Sequence, residues 1–360
     1  MRKDGRMATL NEAKERLDKL INKARHRLYK PIQIAEILYK ARTSSDVVPS
    51  KLETYRRISN TWKADIALRL FGRRPSLNSR YEDQLFDDAV IPPQTLNVLA
   101  RANQGGIIEA YIYYRIGGTQ LLLEKIRSGL DITKPSAFDL ESFIKKFEGE
   151  SSLRRSIDKV YEILVYALFD ILVNHLDATI TLSVSQDKRE IVKDFEKFTT
   201  IVLGIDPVRL SISQPARLFR LGVTNAADAR IDMWANFGPA VQVKHITLDL
   251  EEGKRIAQEV MADKIIIVCK HAEQKVIESI FSQVGLKEKI RGFITEKDLV
   301  SWYKLCMTKY ANSIGKDVLR ALSHEFDVEF PLAKSSEIEK FLNERGYARK
   351  MLQGIWALPD

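Results

Sequence analysis

A chain of 360 residues is too long for one small module and corresponds to one large or two medium domains, and 45% hydrophobic with 29% charged residues excludes disorder and low-complexity organisation. No apolar run approaches about 18 residues, the start (MRKDGRMATLNEAKERLDKL) has no apolar signal core, and the two cysteines lack metal-ligand spacing, so a membrane span, an export signal and a zinc site are not expected. The expected location is cytoplasmic, and a net charge of +9 permits a polyanionic partner without requiring one.

The first 150 residues read as mainly helical. Segment 10–29 keeps a helical period through Leu10, Leu17, Leu20, Ile21 and Leu28, and further helices are predicted at 32–42, 52–72 and 94–103. Breaks fall at 72–80 (GRRPSLNSR) and at Pro92-Pro93. Residues 111–118 (YIYYRIGG) read as a core element ending at Gly117-Gly118, without the Gly-Ile-Tyr that a GIY-YIG nuclease needs upstream. Residues 1–80 hold 20 Lys and Arg against 8 Asp and Glu, a balance of +12 that leaves −3 for the other 280. The cations group as Lys19, Lys23, Arg25, Arg27 and Lys30, then Arg56, Arg57 and Lys63, then Arg69, Arg73, Arg74 and Arg80, with Tyr29, Tyr55, Trp62, Phe71 and Tyr81 between them. Arg56, Arg57, Lys63, Arg73 and Arg74 are the expected DNA contacts, and such contacts give affinity without sequence choice. A solvated helix surface is the plainer reading of any one basic helix.

After a short helix at 137–147 and a soft boundary near 150, the pattern changes. Segment 153–175 carries a broad apolar stripe from Ile157 to Leu172 and predicts a helix packed on something large. A β-branched segment follows at 178–184, then a helix at 187–203. Two strand-like segments at 229–234 and 240–247 flank the turn-forming Asn236-Phe237-Gly238-Pro239. Helix 249–262, strand 264–269, helix 272–283, strand 291–294 and helix 296–309 complete an α/β (α+β) alternation: a mixed sheet with helices on both faces. The domain expectation is a basic helical recognition and dimerisation region over 1–150, a core over 151–310 and a helical extension over 311–360.

The chemistry is expected at Asp232, followed after nine residues by Gln242-Val243-Lys244. On a strand Gln242 and Lys244 point to one face and Val243 to the other, and the intervening turn can bring Asp232 beside them. A carboxylate there suits a hard cation such as Mg2+, and an ammonium can orient water and stabilise charge on a phosphate. As a bare string D-x9-Q-x-K is common; its weight comes from two polar side chains inside an otherwise apolar strand, where an ammonium is poorly tolerated unless paired or working. His245 should face opposite to Lys244 and reads as structural. The chain has no P-loop GxxxxGK[ST], so no nucleotide cofactor is expected, and neither methyltransferase motif, Pro-Cys or Asn/Asp-Pro-Pro-Tyr, is present.

Asp232-x9-Gln242-Val243-Lys244 within this order of elements resembles the PD-(D/E)XK nuclease core, with Gln in place of the second acid. More narrowly, NEAKERLDKLINKARHRLYKPIQIAEILY, RRISNTWKADIALRLFG and DMWANFGPAVQVKH resemble Type II restriction endonucleases of the HaeII family. The resemblance implies Mg2+-dependent cleavage of double-stranded DNA at a purine-GCGC-pyrimidine palindrome, with Asp232, Glu162 and the Val243 backbone carbonyl at the metal and Asn236 near DNA. Glu190 and Glu196 rival Glu162, and Asp228 rivals Asp232. A palindrome is most simply read by a two-fold homodimer. A non-catalytic DNA-binding protein and a repair or recombination nuclease remain alternatives, separated by whether plasmid DNA is cut into discrete bands.

Overall fold

The computed structural model describes residues 9–23, 29–75, 83–131, 134–150, 152–221, 231–330, 332 and 335–359. Arg25, Arg27, Arg80, Tyr81 and Asp228 lie outside them. The chain divides into two compact units, one drawn from Met1–Leu130, Lys145–Ile157 and Phe326–Asp360, the other from Asp131–Ile144 and Asp158–Glu325.

The first unit is helical: α1 (Leu10–Lys23), α2 (Tyr29–Thr43), α3 (Ile58–Phe71), α4 (Pro93–Ala102) and α5 (Ile107–Ser128), with the later helix Ser335–Glu344 packed among them. The predicted helix at 52–72 is interrupted, its first turn being a short 3-10 segment Leu52–Thr54. Gly72, at φ +63, caps α3 in the left-handed region that favours glycine. Helix α5 runs through Gly117-Gly118 rather than ending there. Interior glycine costs about 1 kcal/mol relative to alanine, and burial of Ile108, Tyr111, Ile112, Tyr113, Ile116 and Leu123 outweighs it. Phe341, Leu342, Tyr347 and Trp356 share one apolar cluster with α1 and α2, which is why the carboxyl terminus belongs to this unit.

The second unit holds a five-stranded mixed sheet whose strands lie side by side in chain order, from Leu218–Arg220 through Met233–Ala235, Ala240–Leu248 and Ile265–Ala272 to Ile290–Thr295. Strand β1 (Thr179–Ser183) does not join it. It pairs antiparallel with β2 (Ser211–Pro215) as a separate two-stranded ribbon, although the sequence placed 178–184 in the core. Both strands are largely exposed: one face carries Thr179, Thr181, Ser183, Ser211 and Ser213, with Thr181 and Ser213 in mutual contact, and the other carries Ile180, Leu182 and Ile212, of which Ile212 packs on a small local cluster of Val192, Ile205 and Leu210 rather than on the sheet. The strand beside the Asp232 segment is instead β3 (Leu218–Arg220), antiparallel to β4 (Met233–Ala235), where Phe219 stacks on Trp234 with centroids 4.6 Å apart. Strand β4 runs antiparallel to β5 (Ala240–Leu248), while β6 (Ile265–Ala272) and β7 (Ile290–Thr295) continue parallel to β5.

Helices cover both faces. On one, Ile256 and Ala257 of α7 (Leu250–Glu259) and Ile280 of α8 (Gln274–Ser282) close over Ala240, Ile265 and Ile267. On the other, Tyr161 of α6 (Ile157–His175) donates to the Cys269 carbonyl at 3.1 Å, and Tyr303 of α9 (Glu296–Thr308) donates to the Leu164 carbonyl at 2.8 Å. The predicted helix 187–203 is broken into Arg189–Asp194, Glu196–Phe198 and a π turn Thr199–Leu203. Both cysteines are buried thiols, and no helix among the described residues is long and apolar enough to cross a membrane.

Candidate active site

The β4–β5 turn assembles the site. Ala235 donates its N–H to the Pro239 carbonyl and Gly238, at φ +118, donates to the Ala235 carbonyl, reversing the chain as the Asn-Phe-Gly-Pro sequence leads one to expect. Asp232 lies just before β4 and is fixed through its backbone from two sides: its N–H donates to the Val241 carbonyl at 3.1 Å and its carbonyl accepts from Leu221 N–H at 2.9 Å. Its side chain reaches β5, where Oδ2 accepts Gln242 Nε2 at 2.6 Å and Val243 N–H at 2.7 Å. Asp232, Gln242 and Lys244 thus line one pocket of about 350 Å3, closed by Arg255, Ile256, Glu259 and Val260 of the α7 side.

The alternation expected of β5 holds. Gln242 and Lys244 face the pocket, while His245 turns the other way, its ring 4.9 Å from that of Tyr161 and its Nε2 3.3 Å from Glu296 Oε2. Burial pushes the Asp232 carboxyl up to about 6, with the Glu162 charge adding to the rise and the Val243 N–H, Lys159 and Lys244 opposing it. Glu162 is therefore within electrostatic reach of Asp232. Its own carboxylate is held elsewhere, with Oε2 on Lys159 and Oε1 accepting Arg220 Nε at 2.7 Å. Arg220 in turn donates Nη1 to Glu325 at 2.7 Å, so a buried arginine bridges two carboxylates beside Asp232.

Glu190 and Glu196 do not join this group. They are exposed on the helical turns next to the β1–β2 ribbon, which is outside the five-stranded sheet. Among the expected DNA contacts, Arg56, Arg57, Arg73 and Arg74 are exposed, Arg56 and Arg57 beside a surface hollow of about 650 Å3. Lys63 is only 5% exposed and donates to Asn60 Oδ1 at 3.0 Å, because its position on α3 faces inward. Asn236 accepts Arg217 N–H at Oδ1 and donates Nδ2 to the Pro215 carbonyl, so its amide is spent on the neighbouring backbone.

Sequence reasoning missed Arg220, Lys159, Glu325 and Glu259. The first sits on a three-residue strand too short to show a period, and Glu325 is 105 positions from it. Lys159 and Glu259 had a signal available: Lys159 lies three residues before Glu162, and Glu259 ends the helix that follows the Gln242-Lys244 strand. No group of three or more His, Cys, Asp or Glu able to hold a metal is present among the described residues.

Two comparisons place the chain among known proteins. A profile of the family described as HaeII restriction endonuclease matches residues 13–347, nearly the whole chain. The chain belongs to the HaeII restriction endonuclease family. It is 40% identical over 351 residues to "Type II restriction enzyme HaeII" of Haemophilus aegyptius, spanning 96% of this chain and 99% of that protein. It is 39% identical over 339 residues to "Type II restriction enzyme NgoBI" of Neisseria gonorrhoeae, spanning 93% and 96%. No solved structure matches the chain. A member of this family is a Type II restriction enzyme, a site-specific deoxyribonuclease, and enzymes of that type generally use divalent metal ions.

Proposed function

We propose that the Asp232–Gln242–Lys244 pocket is the cleavage site of a PD-(D/E)XK-type restriction endonuclease that uses Mg2+ and acts as a homodimer on a purine-GCGC-pyrimidine palindrome. The observation that carries the reading is the pair of bonds that Gln242 Nε2 and Val243 N–H donate to Asp232 Oδ2, which holds a half-buried carboxylate in the pocket that Lys244 also lines. The donor chemistry suits a hard cation: the Asp232 and half-buried Glu259 carboxylates line the pocket and would hold it through oxygen, the Val243 carbonyl being the further donor that the resemblance implies, and Mg2+ retains water and phosphate oxygens for the rest. When bound, such an ion polarises the scissile phosphate and lowers the pKa of a water.

The chain's own residues have separable roles. Gln242 holds the Asp232 carboxylate in position through its amide N–H. Lys244 orients the attacking water and stabilises the extra negative charge that develops on phosphate. Glu162, its carboxylate held by Lys159 and Arg220, adds negative potential to Asp232 and shapes the site. Arg56, Arg57, Arg73 and Arg74 supply phosphate contacts in the amino-terminal unit, with 1–150 mainly concerned with recognition and 151–310 with chemistry.

Digestion of a plasmid of known sequence tests the reading. With Mg2+ the wild-type protein should give discrete bands whose mapped ends all fall in the palindrome, and chelation should abolish them. Unspecific nicking, or binding without cutting, would replace the reading by a repair-type nuclease or a non-catalytic DNA-binding protein.

A further inference from the structure

The insertion between α6 and β3 carries a surface that the site does not use. Its short helical turns bury Val192 and Thr199, seven residues apart, and Val192 joins a small apolar cluster with Ile205 and Leu210. A second stripe, Ile191, Phe195, Phe198 and Val202, recurs at steps of four, three and four, and with Ile201 it lies on the outside, each side chain 55–72% exposed. A helical segment apolar on two sides is one whose second side is meant to be covered. The β1–β2 ribbon touches the buried side of these turns through Ile212 and is otherwise largely exposed, Leu182 by 46%, and a two-stranded ribbon with so little burial is at best marginally stable in water.

We propose that this stripe is a two-fold interface through which a second copy of this chain docks. The inference rests on the reading of the enzyme as a homodimer and names the surface that makes it one. Area supports a protein partner: fully exposed aromatic and large aliphatic side chains present on the order of 150–250 Å2 each, so five of them at this exposure offer about 500 Å2 of apolar surface. That suffices as the apolar centre of an interface of about 800 Å2 per partner, and it is at the upper end of what monomers leave uncovered. Charge supports a copy of the same surface. Residues 186–203 hold four acids (Asp187, Glu190, Asp194, Glu196) and four bases (Lys188, Arg189, Lys193, Lys197), so the face has no net charge with which to repel itself. DNA would call for an excess of cations, which this chain carries in residues 1–80 instead. Isologous contact, the same patch on both copies, is what a two-fold axis demands.

Light scattering on the full-length protein at micromolar concentration tests the proposal, with far-UV circular dichroism as the check on folding. The wild type should have a mass of about 82 kDa, twice the 41.2 kDa chain. The double variant Phe195→Glu/Ile201→Glu should fall to half that mass with an unchanged spectrum, and the milder Phe198→Ser should raise the dimer dissociation constant at least about tenfold. A wild-type monomer, a folded double variant that stays dimeric, or one that stays dimeric while losing DNA affinity would each overturn it. Site-specific plasmid cleavage by the wild type is scored separately, so the surface can fail while the nuclease reading stands, and the reverse.

Discussion

Asp232 is a carboxylate placed where burial opposes its charge, raised from 3.8 to about 6. In the metal-free protein the sign follows directly. The folded state binds the proton more tightly than the unfolded chain, so the penalty is absent below pH 3.8, grows as pH rises towards 6 and is complete above it. Asp232→Asn, which keeps the shape and removes the charge, should therefore stabilise the protein in chelator at pH 8, by up to about 3 kcal/mol, and lose that advantage at pH 4. Urea titrations at the two pH values measure it; equal differences at both would show that Asp232 carries no such strain. Arg220 has the opposite character. It is 8% exposed between Glu162 and Glu325, and Arg220→Ala leaves the buried Glu162 with Lys159 alone and takes from the half-buried Glu325 its Arg220 partner, which should cost about 3 kcal/mol. A loss below about 1 kcal/mol in the same titrations would mean that solvent already screens the pair.

Helix α7 forms one wall of the pocket, and its start is set by one side chain. Asp249 Oδ1 accepts the Glu252 N–H at 2.7 Å, an N-cap whose loss costs about 1 kcal/mol. Asp249→Ala should lower stability by that amount and loosen the wall carrying Arg255 and Glu259, seen as faster amide exchange over 250–253; unchanged exchange would place the helix start under other control. The alternation of Gln242 and Lys244 and the Asn-Phe-Gly-Pro turn were both legible because each is local: the spacing alone decides which side chains share a face. What was not legible depends on pairing across distance. Segment 178–184 has the β-branched residues of a core strand, yet its partner is the polar Ser211–Pro215 strand rather than the sheet, and nothing within the segment distinguishes the two outcomes. Gly117-Gly118 looked like an end because glycine weakens a helix, whereas burial along α5 decided otherwise. Arg220 belongs to the site through partners 58 and 105 positions away.

At the scale of the molecule, charge is unevenly spread along the chain: +12 in the first 80 residues and −3 in the rest, where the proposed site of Asp232 and Lys244 lies. Even so, a basic count is not a set of phosphate contacts. Lys63 contributes to the +12 while buried on α3, whereas Arg56 and Arg57 stand at the surface. Arg56→Ala/Arg57→Ala should weaken DNA binding almost equally for specific and unrelated sequences and reduce the slope of log affinity against log salt by about 2. Lys63→Ala should leave that slope unchanged, and titrations at three salt concentrations distinguish the two. A slope insensitive to both arginines would move the grip to another part of the amino-terminal unit.

The role of the Asp232–Lys244 pocket is decided by single-turnover cleavage alongside DNA binding for Lys244→Ala. The variant should bind its site with near wild-type affinity and cut at least about 100-fold more slowly, the loss expected when one preorganised charge is removed from a developing phosphate charge. Cleavage by Lys244→Ala at the wild-type rate would contradict the account and place the chemistry elsewhere in the chain.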